Sequence, residues 1–209
     1  IMELLGKIFG NPQRVKIMRL FLFNEGIPFT LEDVTRRSQS KRELVKKELK
    51  QLNSLGLIKA KSFSQKVATK PTKKKPEGGY KRVSTKGWIL DKKFVLIKPL
   101  RNLVIDTELI NSKDIIRRIK QAGSIKLLVL SGLFVKDENR KLDLLVVGDK
   151  LKPGVLKKQI TAIESEIGKE LSYGHFTVEE YEYRMSMYDK LLRDILENEH
   201  TQLVNKLRG

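Results

Sequence analysis

The 209-residue chain has no cysteine and only two histidines, His175 and His200. Without cysteine it can form no disulfide, use no thiolate and build no cysteine-rich zinc site. Two histidines this far apart do not suggest a metal centre, so neither a metal nor a cofactor is expected. Long apolar runs are missing too. None approaches the roughly 18 residues that cross a bilayer, and no membrane partner is expected. The first residues lack the basic flank, apolar stretch and small-residue cleavage site of a signal peptide. With the missing cysteines, this sets the expectation of a cytoplasmic protein. Hydrophobic residues make up 40%, enough to bury a core, so the composition is not that of a disordered chain.

Acidic residues are also scarce. The chain carries 43 Lys and Arg against 25 Asp and Glu, a formal net charge of +18. The excess is local. Residues 1–98 hold 24 cations and 8 carboxylates, whereas residues 99–209 hold 19 and 17. A basic excess confined to one half is the footprint of a surface that neutralises phosphates, which points to a nucleic-acid partner.

The spacing predicts helices in that basic half. Arg14–Phe23 places Val15, Met18, Leu20 or Phe21, and Leu22 near one face, with Pro12 at its start and Asn24-Glu-Gly26 at its end. Thr30 and Asp33 make a capping box for a short helix, Leu31 to Ser38. Ser40 and Glu43 suggest the same cap for a third helix, which puts Leu44, Val45, Leu49, Leu52 and Leu55 inward and stops at Gly56. Its opposite face carries Lys41, Arg42, Lys46, Lys47 and Lys50. Leu57–Phe63 then reads as a strand, and Gly87–Leu90 with its lead-in as the return strand. Between them Pro71, Pro76 and Gly78-Gly79 argue against regular structure at the tip. That stretch carries Lys66, Lys70, Lys73, Lys74, Lys75, Lys81 and Arg82.

Helix, short helix, sharp turn and basic helix is the order of a helix-turn-helix, and the basic hairpin after it makes a wing. Residues 38–58, with Leu49, Leu52, Gly56, Leu57 and Ile58 at the end of the helix, resemble winged-helix transcription regulators of the ArsR/MarR type. The resemblance implies duplex-DNA binding, with the helix over residues 40–55 in a major groove. Metal sensing by thiols is not implied, because the thiols are absent. Arg42 is the best candidate for a base contact, since its planar fork matches both guanine acceptors. Gln39 and Ser40, in the turn, are secondary candidates. The lysines of helix and wing are expected on phosphates, which position a protein without choosing sequence.

The second half alternates strands and helices, as in an α/β sheet with helical cover. Phe94 to Ile105 reads as an extended connection and a short helix from about Leu100. Asn111 caps a helix to about Gln121, with Ile115, Ile116 and Ile119 inward. Ile125–Ser131 and Leu142–Val147 are buried strands. Pro153 opens a helix through Gly168, Glu170–Phe176 is a third strand, and Thr177 and Glu180 box a helix to Met187. A last helix is predicted over 188–207, with a break near Asn198 allowed. Leu130-Ser-Gly-Leu-Phe134, followed by Asp143 and Leu-Leu-Val-Val147, resembles the nucleotidyltransferase superfamily of DNA-polymerase-β-like fold. In that family a Gly-Ser pair holds nucleotide phosphate and paired acids on the next strand bind magnesium. Here Ser131-Gly132 replaces Gly-Ser, Lys141 stands where the first acid belongs, and Asp143 alone matches. Phosphoryl transfer needs at least two carboxylates for two ions. The resemblance therefore implies a vestigial pocket of Ser131, Gly132 and Asp143, with Asp143 salt-bridged to a lysine and no transferase activity.

The sequence thus sets out a two-domain α/β chain. A winged helix (α+β) over 1–93 and a connector over 94–110 lead to a small nucleotidyltransferase-like α/β domain with a helical C-terminus over 111–209. The expected function is a sequence-specific DNA-binding regulator, paired as a homodimer on a two-fold site and associated with the nucleoid. The alternatives are an RNA- or ribosome-associated basic protein and an active nucleotidyltransferase. Asp149 and His175 read as a turn cap and a half-buried strand residue. Tyr181, Tyr183, Met185, Met187 and Tyr188 read mainly as core, with a dimer surface or nucleotide-stacking platform as the alternative.

Overall fold

Short polar caps set the first helices. In the computed structural model, which describes residues 2–69, 79–105, 110–137 and 139–207, helix α1 spans Met2–Phe9. It was not expected from the sequence, because eight residues leave little periodicity to read. Asn11 then accepts a hydrogen bond from Arg14 N and caps α2, Pro12–Phe23, with Pro12 at its first turn. The residues of α2 are buried almost all round, from Val15 to Leu22. They include Arg19, whose Nε donates to Val104 O at 2.7 Å. The capping box of Thr30 and Asp33 forms as predicted and opens α3, Leu31–Ser38. Helix α4 spans Arg42–Ser54.

The expected cap of α4 is corrected. Lys41 is its N-cap residue and supplies no side-chain bond. Ser40 lies one residue before the cap position, and its hydroxyl donates to Ser38 O. The inward face is corrected as well. Val45, Leu49 and Leu52 are buried, but Leu44 and Leu55 are exposed, and Glu48 takes the inward position between them. Its carboxylate accepts from Asn11 Nδ2 at 2.8 Å and Arg14 Nε at 2.6 Å, which offsets its desolvation.

Strands β1, Ile58–Thr69, and β2, Gly79–Leu90, form an antiparallel hairpin of twelve residues each. The strands run further than expected, to Thr69 and from Gly79, and the tip read as irregular lies outside the described residues. Phe29 joins the base of the hairpin through reciprocal backbone bonds with Trp88 at 2.8 and 2.9 Å. A Cβ at Gly87 would overlap Phe29 O, so this approach requires glycine. The expected connector holds a helix. Helix α5, Ile97–Val104, starts earlier than expected. It is fastened to α2, with Arg101 Nη2 donating to Leu22 O and Glu25 Oε1, both at 2.7 Å. Residues 3–107 accordingly form one compact unit, and 108–209 make up most of the other.

In the second unit, α6 spans Ser112–Ile119 and a 3-10 turn, Lys120–Ala122, extends it. Strand β3, Ser124–Leu130, leads to a 3-10 turn, Gly132–Val135, and to β4, Leu144–Asp149. Helix α7, Pro153–Ile167, carries the chain to β5, Tyr173–Phe176, which pairs parallel with β4. Helices α8, Val178–Ser186, and α9, Lys190–Leu196, precede β6, Thr201–Asn205. The sheet order is β5-β4-β3-β6. Leu127, Val129, Leu145 and Val147 pack with Leu192 and Ile195 of α9, and Leu128, Leu144 and Val146 on the other face are as deeply buried.

The helix predicted over 188–207 is therefore wrong in its second half. A buried strand must satisfy both edges, and β6 supplies the bonds that β3 would otherwise lack. Strand β5 is also shorter than expected, so Glu170 lies three residues ahead of it. Taken together, the chain is mixed α/β with two small sheets. Among the described residues, no helix is long and apolar enough to cross a membrane.

Candidate nucleic-acid interface

The turn between α3 and α4 is held by backbone geometry. Gln39 adopts the left-handed conformation with φ 49°, and its N–H bonds back to the last turn of α3. Such a residue ends a helix sharply at a cost of about 1 kcal/mol relative to glycine. Three residues later α4 begins, with Val45, Leu49 and Leu52 inward. The opposite face is thereby fixed outward. Arg42, Lys46 and Lys50 recur at four-residue spacing and form one stripe, with Lys41 and Lys47 beside it, all exposed.

These cations differ in their partners. Arg42 Nη1 donates to Glu32 Oε1 at 2.8 Å, and Lys46 sits 3.4 Å from Glu43. The Arg42 bond holds the Glu32 carboxyl below its ordinary value. Lys41, Lys47 and Lys50 form no ion pair among the described residues. Both pairs are solvent-exposed, where an ion pair contributes at most about 1 kcal/mol, so either can open in exchange for an outside anion.

The hairpin is cationic as well. Between Ile58 and Leu90 the sequence holds ten Lys and Arg and one carboxylate, Glu77. Lys66, Lys81 and Arg82 lie on the strands, with Lys66 directly opposite Arg82. Lys70, Lys73, Lys74 and Lys75 lie outside the described residues. Lys59, Lys61 and Lys86 are strand residues too, and sequence reading missed them because it looked for cations only at the tip. Lys59 is paired with Asp91 at 3.0 Å. Lys61, Lys66, Lys81, Arg82 and Lys86 have no ion pair among the described residues.

Ser131, Gly132 and Asp143 do come together in the second unit, but as a structural clamp. Asp143 Oδ1 accepts from Leu133 N at 2.7 Å and Oδ2 from Ser172 N at 2.8 Å. The expected ion pair with Lys141 does not form, because two backbone amides already engage the carboxylate. Gly132 has φ 52°, and a Cβ there would overlap Asp143 Oδ1. The Ser131 hydroxyl is buried and has no hydrogen-bond partner among the described residues. Among the described residues no group of three or more His, Asp and Glu could hold a metal ion.

The remaining candidates are corrected. His175 is exposed rather than half-buried, and Asp149 ends β4, 3.9 Å from Lys126 Nζ. Of the α8 patch only Tyr181 packs on the sheet core, and burial raises its phenol above the usual range. Tyr183, Met185, Met187 and Tyr188 are exposed, so they are not core. Tyr183 and Met187 line a shallow cleft with Glu180, Arg184 and Asp189.

Compared with known proteins, the chain matches no family model, no curated protein and no solved structure.

Proposed function

We propose that this protein is a duplex-DNA-binding regulator. Its first unit acts as a winged helix of the ArsR/MarR kind: α4 enters a major groove, and the hairpin lies on phosphates. The observation that carries this reading is the set of exposed cations on the free face of α4 and on both strands of the hairpin, with no carboxylate on either strand. Helical order, the short bridge of Phe29 to the hairpin base and the tight α3–α4 turn support it further. Two copies pair on a two-fold site, since one such helix reads few bases. The second unit is a nucleotidyltransferase-like domain without transferase activity, supported by the engagement of its one matching acid by backbone amides.

The test is a comparison of random duplex DNA with structured RNA at matched salt, together with incubation of the protein with magnesium, labelled nucleoside triphosphates and a broad acceptor panel. Preference for duplex DNA and no transfer supports the proposal. Preference for structured RNA, or labelled product, overturns it.

A further inference from the structure

The hairpin has two chemically different faces. In an antiparallel pair, directly opposite residues share a face and successive residues alternate. One face therefore carries Ser62, Ser64 and Lys66 on β1 opposite Lys86, Ser84 and Arg82 on β2. All six are exposed. The other face carries Phe63, Gln65 and Val67 opposite Thr85, Val83 and Lys81. There Phe63, Gln65, Val83 and Thr85 are half-buried. The Phe63 ring lies within 2.9 Å of where a Cβ on Gly87 would sit, so the glycine leaves that ring room to cover the strand.

Resting on the DNA-binding reading above, we infer that the face formed by Ser62, Ser64, Lys66, Arg82, Ser84 and Lys86 is the surface laid along the sugar–phosphate backbone of duplex DNA. The face of Phe63, Val67 and Val83 points away from it. Hydroxyls and cations are the groups that bond phosphate oxygens, and between the Ala60–Trp88 and Ala68–Tyr80 pairs this face holds only those. Lys66 and Arg82 are like charges directly opposite each other with no carboxylate on either strand, an arrangement that destabilises a hairpin until an anion sits between them. Arg82 and Lys86 are four residues apart, roughly 13 Å along the strand. The apolar face would have to bury Phe63 and Val83 against charged phosphates, a poor exchange for both.

Two equal-charge variants test the assignment: Lys66→Gln with Lys86→Gln on one face, and Lys61→Gln with Lys81→Gln on the other. Binding of each full-length variant to random duplex DNA is titrated with salt. The first variant should flatten the slope of log affinity against log salt by about 1.8, two phosphate contacts' worth, and the second by well under 1. Replacing Ser62, Ser64 and Ser84 together by alanine should lower affinity several-fold with the slope unchanged. The melting temperature of the Lys66→Gln variant should match or exceed wild type, which separates lost contacts from lost folding. Equal losses for the two double variants, or the larger loss for Lys61 and Lys81, overturn the face assignment while leaving DNA binding through α4 in place. A face-dependent loss on duplex RNA only overturns DNA as the occupant. A wild type with no salt-dependent affinity for duplex DNA overturns both this inference and the function it rests on.

Discussion

Glu32 on α3 holds Arg42 at the first turn of α4, Oε1 to Nη1 at 2.8 Å, so the side chain best suited to read guanine already has a carboxylate partner in the free protein. Binding a base must displace that carboxylate. Glu32→Gln should therefore raise affinity for any duplex up to about fivefold, equivalent to roughly 1 kcal/mol. Fluorescence anisotropy on a random duplex measures it. Unchanged affinity would place the pair away from the interface.

Glu48 depends on Arg14 in the same way that Arg42 depends on Glu32, but it is buried. Arg14→Ala leaves a buried carboxylate with Asn11 alone and should cost about 3 kcal/mol in urea denaturation. Asn11→Ala, which removes a helix cap and one bond to Glu48, should cost about 1 to 2 kcal/mol. Loss of less than 1 kcal/mol in Arg14→Ala would show that Glu48 relaxes into solvent.

The capping box of α3 carries a pH signature. Burial works to raise the Asp33 carboxyl, but bonds from Thr30 and Arg36 outweigh it and the group titrates below its ordinary value. A carboxylate depressed on folding stabilises the protein above its unfolded pKa, near 3.9, and that contribution is lost as pH falls through the lower folded value. The stability gap between wild type and Asp33→Asn should be constant above about pH 5 and shrink below pH 4. Urea melts across that range measure it, and a gap that widens on acidification would contradict it.

Asp143 should matter for folding and not for DNA. Asp143→Ala strands the amides of Leu133 and Ser172 and should cost about 2 kcal/mol, while affinity for duplex DNA stays within twofold. Gly132→Ala should destabilise too, through its left-handed φ and the overlap with the carboxylate. Full stability in Asp143→Ala would mean the clamp is idle.

The sequence displays most clearly those features whose cause is local. Thr30 with Asp33 and Thr177 with Glu180 form the caps their spacing implies, and Leu156, Ile160, Ile163 and Ile167 line one buried stripe of α7. Features that depend on distant partners were hidden. Glu48 reads as a surface residue until Asn11 and Arg14 are brought beside it, and the segment 201–205 becomes a strand because β3 has an open edge. The hairpin's extent was obscured because polar, lysine-rich strands lack the apolar alternation that marks a half-buried sheet. In the candidate interface the helix cations were legible from periodicity. The face of the hairpin was not, since it follows from the Lys66–Arg82 register.

The central claim is sequence-specific reading of duplex DNA by α4, and it is tested most directly by selecting bound sites from a random duplex pool and then titrating the best site against random duplex for wild type and Arg42→Ala. The account predicts a wild-type preference of about a thousandfold or more, the low end of specific binding, that Arg42→Ala erases while affinity for random duplex survives. A pool with no enriched site, or an enriched site whose preference Arg42→Ala leaves intact, would contradict it.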